Sequence, residues 1–167
     1  MKTFFYNLLQ RFYISLVFVW ELPQNIAGIL VYLFFKIFYG CHLISIRTYP
    51  DLDNKTLEPK KNFFYDNLYI FSFWSKGMSG GITLGQFVFL DENSKDSETS
   101  LKHEGGGHGK QGLFLGPLYL IVVGLSSIMH AAFHNCKFYY HFWTETWADI
   151  LGDVKRVIPN WLKNMLK

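Results

Sequence analysis

Two long apolar segments occupy the N-terminal third of the chain. Residues 3–20 are aromatic and mostly apolar, and residues 26–46 form a run of about the 20 residues that a helix needs to cross a bilayer. The segment ELPQN at 21–25 separates them, because Pro23 disfavours helical backbone at the residue before it. The pattern therefore predicts a helical hairpin over 1–46, with an interfacial first helix followed by one span as the alternative.

The middle of the chain changes character after a polar loop at 47–62. Aromatic and β-branched residues over 63–91 surround the glycine-rich stretch KGMSGG, a combination typical of a β-hairpin. A second polar loop follows at 91–100. Three hydroxyl residues lie near its end: Ser97, Thr99 and Ser100. Because any of them could cap a helix, we expect a helix to start near residue 101.

Two further helical segments complete the chain. Residues 113–133 are strongly apolar, although Gly116–Pro117 should break this helix near its start. The pattern then predicts a last helix over roughly 137–157, which Pro159 ends. Together these features predict a mainly α membrane protein with three or four apolar helices and a small β-hairpin, built as a single domain over 1–167.

Composition and charge support a membrane environment. Half of the residues are hydrophobic and 17% are charged, against roughly 25% in ordinary soluble domains. The net charge of +3 comes without a basic run of the kind that binds nucleic acid. Positive residues collect near the N-terminus, in the loop at 47–61 and in the C-terminal tail, which predicts cytoplasmic termini. The lipid bilayer is therefore the expected partner, and nucleic acid is not.

The stretch HEGGGHGKQ, at 103–111, carries two histidines and a glutamate near a predicted helix start. In the zinc-peptidase pattern H-E-x-x-H the histidines are four residues apart, whereas His103 and His108 are five apart. In an ordinary helix, side chains five apart differ by about 140° around the axis and point away from each other. One π-type turn, with an i→i+5 hydrogen bond, would return them to the same face. A metal site here therefore requires a bulged helix, which the three glycines make sterically easy.

A second pattern, TETWAD, lies beyond the apolar helix. Glu145 follows His108 by 37 residues, and Asp149 is four residues further on, so the two acids share one helix face. The small Ala148 between them lets two helices approach each other. In one class of zinc hydrolases, two histidines and a downstream glutamate hold the metal and leave the fourth position open. The two patterns are therefore the two halves of one candidate zinc site.

Residues 80–153 resemble an uncharacterised family of bacterial membrane proteins. In that family a glycine–strand segment precedes H-E-x-G-H-x-x-Q, a leucine-glycine-proline-leucine-tyrosine helix and E-x-W-A-D. The corresponding stretches here are GGITLGQFVFL, HEGGGHGKQ, LGPLYL and ETWAD, with one extra residue between the histidines. The layout is also similar to that of membrane-embedded gluzincin zinc metallopeptidases, and the histidine spacing is similar to the H-E-x-x-x-H of dipeptidyl-peptidase III enzymes.

Carried over residue by residue, the resemblance implies that zinc is held by His103, His108 and Glu145. It implies that Glu104 is the general base that activates the attacking water, and that Asp149 orients a ligating histidine. The implied function is hydrolysis of peptide bonds by a zinc metallopeptidase of the bacterial inner membrane. Its substrate would be a peptide or a membrane protein, and a partner chain could help to select it.

The length of chain between the two patterns limits whether the site can close. A straight helix from His108 to Phe133 would run nearly 40 Å outward at ~1.5 Å per residue, whereas the stretch from His134 to Glu145 returns only ~16 Å. A helix that restarts at Pro117 shortens the outward leg to roughly 20–25 Å, and the two legs then nearly match. The candidate site therefore requires a break at this proline.

Two other functions stay open. A non-catalytic membrane scaffold or accessory protein could keep this fold with a degenerate motif, since each helical glycine costs about 1 kcal/mol against alanine. Three further histidines, His130, His134 and His141, could join His103 and His108 in the diiron site of a histidine-box membrane oxidase. That class generally uses more histidines, including adjacent pairs, and the chain has six without a His-His pair. Hydrogen-bonded histidines at a membrane interface are the simpler interpretation of these three.

Overall fold

The fold was obtained as a computed structural model, which describes residues 2–49, 66–74, 80–134 and 139–155. Within these ranges the chain is mostly helical and contains one small mixed sheet. The helices are α1 (Lys2–Trp20), α2 (Leu22–Tyr39), α3 (Glu98–Leu101), α4 (Gly109–Leu115), α5 (Ser126–His134) and α6 (Trp143–Leu151). The strands are β1 (His42–Tyr49), β2 (Asp66–Phe73), β3 (Gly81–Leu84) and β4 (Phe87–Asp91). Short π-helical segments (Lys102–His108 and Leu120–Leu125) and 3₁₀ turns (Gly116–Leu118 and Tyr139–His141) complete the helical part.

A single residue, Glu21, separates α1 from α2. Pro23 lies in the first turn of α2, where a missing backbone N–H leaves no helical hydrogen bond unmade, so the helix already starts at Leu22. At its other end, Gly40 adopts a left-handed backbone with φ 62° and donates its N–H to the carbonyl of Phe35. The predicted break between the two helices is confirmed, but it is narrower than the segment ELPQN.

The predicted helical hairpin over 1–46 is wrong beyond Tyr39. Residues 42–49 form β1, which pairs antiparallel with β2. The left-handed Gly40 stops the helix, and the sequence HLISIRTY that follows contains the β-branched residues that favour strands. The apolar run at 26–46 therefore divides into a helix and a strand. The first three residues of the predicted polar loop at 47–62 belong to β1. The rest of this loop lies outside the described residues.

The predicted β-hairpin over 63–91 is wrong in its pairing. The sheet has the strand order β1-β2-β4-β3, and β2 and β4 run parallel at its centre. The hairpin is formed by β3 and β4, which turn at Gly85 and Gln86 inside the stretch expected to be one strand. Gly85 has φ 59°, and a Cβ there would stand 2.2 Å from Oδ1 of Asn25. Residues 75–79, part of the glycine-rich stretch predicted as the turn, lie outside the described residues.

The sheet is covered on both faces. Because side chains alternate along a strand, β2 and β4 supply apolar residues to two separate clusters. One cluster joins the sheet to the start of the helical half: Leu68, Ile70, Val88, Leu90 and Leu101. The other joins it to α2: Phe35, Cys41, Phe71, Phe73 and Phe89. The sheet therefore lies between α2 and the helices that carry HEGGGHGKQ.

The helical half begins at Glu98, before the expected start near residue 101, and it bends where the sequence predicts. The side chain of Ser97 accepts a hydrogen bond from the backbone N–H of Ser100 at 3.2 Å, which confirms a helix cap at the end of the second polar loop. At Gly116, φ is 52°, and the chain turns there by 111° between Glu98–Leu118 and Leu120–His130. The break at Gly116–Pro117 is thus confirmed.

The last helix is shorter than predicted. Extended backbone at Phe142 (ψ 148°) precedes α6, and Gly152 and Asp153 end it, the latter with φ 53°. Within the described residues 139–155, the predicted helix over 137–157 is therefore wrong before Trp143 and after Leu151. Residues 135–138 and 156–167, with Pro159 and the basic tail, lie outside the described residues.

The mainly α fold is confirmed, and the expected number of apolar helices is confirmed only in part. Among the described residues, α2 is the one helix long and apolar enough to cross a membrane. The bent pair Glu98–Leu118 and Leu120–His130 meets the same criterion if its two arms are taken as one span. One or two such helices are present in the described ranges, where three or four were expected.

Candidate metal site

The two histidines of HEGGGHGKQ lie on the same side of their helix. The segment Lys102–His108 is π-helical, which lines up residues that are five apart. The rings of His103 and His108 are nearly perpendicular, at 85°, with centroids 4.8 Å apart. The π-type turn that a metal site requires is therefore present, and it absorbs the extra glycine.

The glycines also allow α6 to pack against the π-helical segment. A Cβ on Gly107 would stand 2.3 Å from the carbonyl oxygen of Ala148, and one on Gly106 would stand 3.2 Å from Cα of Gly152. Conversely, a Cβ on Gly152 would stand 2.3 Å from the carbonyl oxygen of Lys102. A side chain at Gly107 or Gly152 would therefore collide with the backbone of the other helix. This close approach brings the TETWAD residues of α6 to the histidines.

One carboxylate oxygen of Glu145 faces both histidines. Oε2 lies 3.1 Å from Nε2 of His103 and 3.4 Å from Nε2 of His108. All three side chains are buried, with exposed fractions of 1% for Glu145, 3% for His103 and 8% for His108. The structure thus brings together the three residues that the sequence predicts as metal ligands.

Each histidine is held through its other ring nitrogen. Nδ1 of His103 lies 2.6 Å from Oδ1 of Asp149, and Nδ1 of His108 lies 2.8 Å from Oε1 of Gln111. These acceptors favour a proton on each Nδ1, so that each ring, in its neutral form, directs the lone pair of Nε2 at Glu145. The position of Asp149 agrees with the orienting role that the resemblance implies.

Gln111 is the site residue that the sequence reasoning missed. Its side chain is fully buried, and while its oxygen faces His108 its nitrogen donates to the backbone carbonyl of Thr144 at 2.8 Å. It therefore ties the second histidine to the start of α6. The signal was present in the sequence, because a glutamine three residues after His108 shares its helix face.

Glu104 is positioned by β3, which forms an edge of the sheet. Its Oε2 accepts a hydrogen bond from the Thr83 hydroxyl at 2.8 Å, and a Cβ on Gly81 would stand 2.7 Å from its Cγ. Among the described residues, Glu104 forms a group with His103 and His108 in which one ligand atom of each lies within 4.8 Å of the others. This buried group is compact enough to hold a metal ion.

The electrostatics of the site favour positive charge between the imidazoles and the carboxylates. Burial by itself raises the pKa of Glu145, but hydrogen bonds from His103 and His108 outweigh it and hold this pKa well below its usual range. Burial lowers the pKa of His108, whereas the hydrogen bond to Glu145 and the charge of Glu104 raise it to about 9. Two carboxylates thus face two imidazoles out of contact with water. The arrangement is suited to bind a cation.

The remaining histidines lie apart from this group in the described part of the chain. The ring of His130 stacks on Phe142, with centroids 4.3 Å apart. His141 ends the 3₁₀ turn Tyr139–His141, and the side chain of His134 is outside the described part. The group that could hold a metal contains His103 and His108 but neither His130 nor His141.

No known protein family, curated protein or solved structure matches the chain. Its function must therefore be inferred from the chemistry of the site.

Proposed function

We propose that the chain is a membrane-embedded zinc metallopeptidase in which His103, His108 and Glu145 hold the metal. The main support is the convergence of both imidazole Nε2 atoms on one oxygen of Glu145, at 3.1 and 3.4 Å. Zinc binds such ligands at ~2.0–2.2 Å, so tetrahedral ligand atoms lie about 3.3–3.6 Å apart. The observed separations are close to that spacing, and the donor set of two imidazoles and a carboxylate suits zinc.

A metal ion accounts for this arrangement of ligand atoms better than protons alone do. With each Nδ1–H directed at its own acceptor, one protonated ring can donate from its Nε2 to Glu145, but Nε2 of the other, neutral ring then directs a lone pair at the same oxygen, which is repulsive without a cation. Protonating both rings would create two imidazolium ions with centroids 4.8 Å apart, and like charges at that distance disfavour each other. A single divalent ion would satisfy all three groups at once.

Glu104 is suited to act as the general base. When bound, zinc supplies a Lewis acid that polarises the peptide carbonyl and lowers the pKa of a coordinated water. Glu104, oriented by the Thr83 hydroxyl, lies near enough to take a proton from the attacking water. Attack forms the new C–O bond, and the same proton then passes from Glu104 to the amine nitrogen as the C–N bond breaks. Asp149 and Gln111 keep the two imidazoles in orientation.

The outward faces of two helices support a bilayer setting. In α2 the buried positions include two amides, Gln24 and Asn25, whereas the exposed positions are mostly large and apolar, with the charged Lys36 among them near the C-terminal end of the helix. These exposed residues include Ile26, Ile29, Leu30, Leu33, Phe34, Ile37 and Phe38. In the π-helical segment Leu120–Leu125 and in α5, Ser127 is buried, whereas the large apolar residues are exposed. These are Ile121, Leu125, Ile128 and Phe133.

A surface helix in water shows the opposite arrangement, with its polar side chains facing outward. Contiguous exposed apolar patches of this kind mark a membrane or protein contact. We therefore propose that α2 and the outer face of α5 contact lipid. The positive residues near the N-terminus and in the tail favour cytoplasmic termini, and the resemblance favours a bacterial inner membrane. A peptide or membrane-protein substrate follows from the same resemblance.

Metal analysis of the detergent-purified protein tests the proposal. We expect about one zinc per chain, as a single three-ligand site requires. His103→Ala and Glu145→Ala should lose this zinc, whereas the matched control His130→Ala should keep it. Glu104→Gln should keep the zinc but abolish hydrolysis of a fluorescence-quenched peptide library. Hydrolysis by Glu104→Gln would rule out the assigned base, and a metal-free parent protein after zinc supplementation would overturn the proposed enzyme.

The burial of the site favours a second candidate function. The exposed fractions of His103, Glu104, His108 and Glu145 all lie at or below 8%. An enclosed zinc is typical of structural sites, and the chain would then be a non-catalytic membrane scaffold or accessory protein. A stoichiometric zinc that stabilises the fold, without peptide hydrolysis by the parent protein, would favour this candidate. The diiron oxidase gains no support from the described residues, because His130 stacks on Phe142.

A further inference from the structure

The two oxygens of Glu145 have different surroundings. Oε2 faces the imidazoles, whereas Oε1 accepts hydrogen bonds from Ser127 Oγ at 3.3 Å and Thr144 Oγ1 at 3.4 Å. The Tyr139 hydroxyl lies beside Glu145 and Ser127. These hydroxyls belong to α5, α6 and the 3₁₀ turn between them. We call Ser127, Thr144 and Tyr139 the hydroxyl cluster.

The hydroxyl cluster is connected within itself. Ser127 Oγ lies 2.9 Å from Thr144 Oγ1, and both side chains are buried, with Thr144 fully enclosed. The two distances to Oε1 exceed the usual 2.5–3.0 Å of an O–H···O bond, so each hydrogen bond is weak by itself. We therefore expect the hydroxyls to hold Glu145 together rather than singly. Each hydroxyl carries one hydrogen, so where one of Ser127 and Thr144 donates to the other, the hydroxyl that accepts this bond can donate to Oε1 and engage a lone pair that a metal would need in order to bind both oxygens of the carboxylate.

The binding mode of a carboxylate affects which coordination number a metal site supports. Binding through two oxygens is typical of larger, higher-coordinate ions such as calcium. Binding through one oxygen, beside two imidazoles, gives three protein ligands and one open position, which is the arrangement of catalytic zinc. We infer that the hydroxyl cluster holds Glu145 as a one-oxygen ligand and thereby selects a four-coordinate metal. This inference rests on the proposed metal site.

Cobalt(II) is a suitable probe, because four-coordinate cobalt absorbs visible light much more strongly than six-coordinate cobalt. The test compares the cobalt-loaded parent with the triple variant Ser127→Ala, Thr144→Val and Tyr139→Phe, which removes the hydroxyls with little change of volume. We expect the parent to show the intense four-coordinate spectrum and the variant a weaker one. We also expect zinc affinity in the variant to fall about 10–100-fold, the usual effect of removing groups that support a ligand.

Ser126→Ala is the matched control. This neighbouring hydroxyl donates to the helix carbonyls of Val122 and Val123, so its removal should leave the cobalt spectrum and the zinc affinity unchanged. Should the triple variant fail to fold, Ser127→Ala gives the same test, because Ser127 hydrogen-bonds to Thr144 and to Glu145.

The outcomes separate this inference from the proposed function. A folded variant with the parent's spectrum and zinc affinity would show that the hydroxyl cluster does not control the binding mode, while the metal site itself would stand. A parent that binds neither cobalt nor zinc would overturn the metal site and this inference together. A spectral change in Ser126→Ala as large as that in the triple variant would also overturn it.

Discussion

Gly107 lies so close to Ala148 that a Cβ on the glycine would stand 2.3 Å from the alanine carbonyl oxygen. The obstacle is backbone of α6, which cannot move aside without displacing the helix. Gly105, two residues earlier, faces only Cδ1 of Leu68 at 3.2 Å, the end of a flexible side chain. The two glycines are thus equivalent in the sequence but unequal in the structure.

We therefore expect Gly107→Ala to destabilise the fold and to displace Glu145 from the histidines. Overpacking of this kind costs typically about 1–3 kcal/mol. Gly105→Ala is the control, since Leu68 can shift and alanine gains up to about 1 kcal/mol of helix propensity. Unfolding in detergent and zinc binding, measured for both variants, check the prediction. Equal stability and equal zinc binding of the two variants would contradict it.

A second prediction concerns Gln111, which holds His108 by its Nδ1 atom. Gln111→Leu removes the acceptor at 2.8 Å without emptying the space, so we expect zinc to bind about 10–100-fold more weakly. Gln111→Glu keeps an acceptor for His108 but loses the N–H that donates to Thr144, so its zinc affinity should lie between those of the parent and Gln111→Leu. Competition with a chromophoric chelator measures both. If Gln111→Leu bound zinc as tightly as the parent, the orientation of His108 would have to depend on other contacts.

A third prediction concerns Asn25, which joins α2 to the β3–β4 turn. Its Oδ1 accepts from the backbone N–H of Gln86 at 2.9 Å, and its Nδ2 donates to the carbonyl of Phe18 at 3.2 Å. Asn25→Leu removes the partner of the buried Gln86 N–H and that of the partly buried Phe18 carbonyl. A buried polar group that loses its partner costs about 1–3 kcal/mol, so we expect the variant to be less stable. Asn7, an exposed asparagine of α1, supplies the control: Asn7→Leu should change stability by less than about 0.5 kcal/mol. Denaturant titration in detergent compares them.

The fourth prediction concerns the outer face of α5. Ile128 is 68% exposed, and we expect it to contact lipid. In a background with Cys41 and Cys136 replaced by serine, Ile128→Cys carrying an environment-sensitive fluorophore should emit at shorter wavelength and be quenched by brominated lipids in vesicles. The same label at Lys95→Cys, in the polar loop after β4, should report water. Identical emission from the two positions would argue against lipid contact at α5.

Local features of the sequence narrowed the choices where the controlling interactions are local. The cap at Ser97, the break at Gly116–Pro117 and the π-type turn each depend on residues within a few positions of one another. The metal-competent residues were also recognisable, because His103, Glu104 and His108 combine ligand types with a known chemical use.

Non-local pairing is where prediction failed. The apolar run at 26–46 contains no mark that separates helix from strand except Gly40, and strand β1 forms because β2 lies beside it. In the same way, β2 and β4 looked like neighbours in a hairpin but run parallel, because β3 turns back at Gly85 and takes the antiparallel position. Strand partners are chosen by contacts between distant residues, which short-range patterns do not encode.

The site shows the same division. The sequence by itself determined which chemistry is available, since histidines and carboxylates can serve as metal ligands where the fold brings them together. Only the tertiary structure decided why glycines are needed and which residues contact the proposed ligands. Helix α6 packs on Gly107, and Gln111 hydrogen-bonds to His108. Ser127 and Thr144 of the hydroxyl cluster hydrogen-bond to one oxygen of Glu145. The physical reason is distance along the chain. A residue's type is written at its own position, but its contacts depend on segments that meet only when the chain has folded.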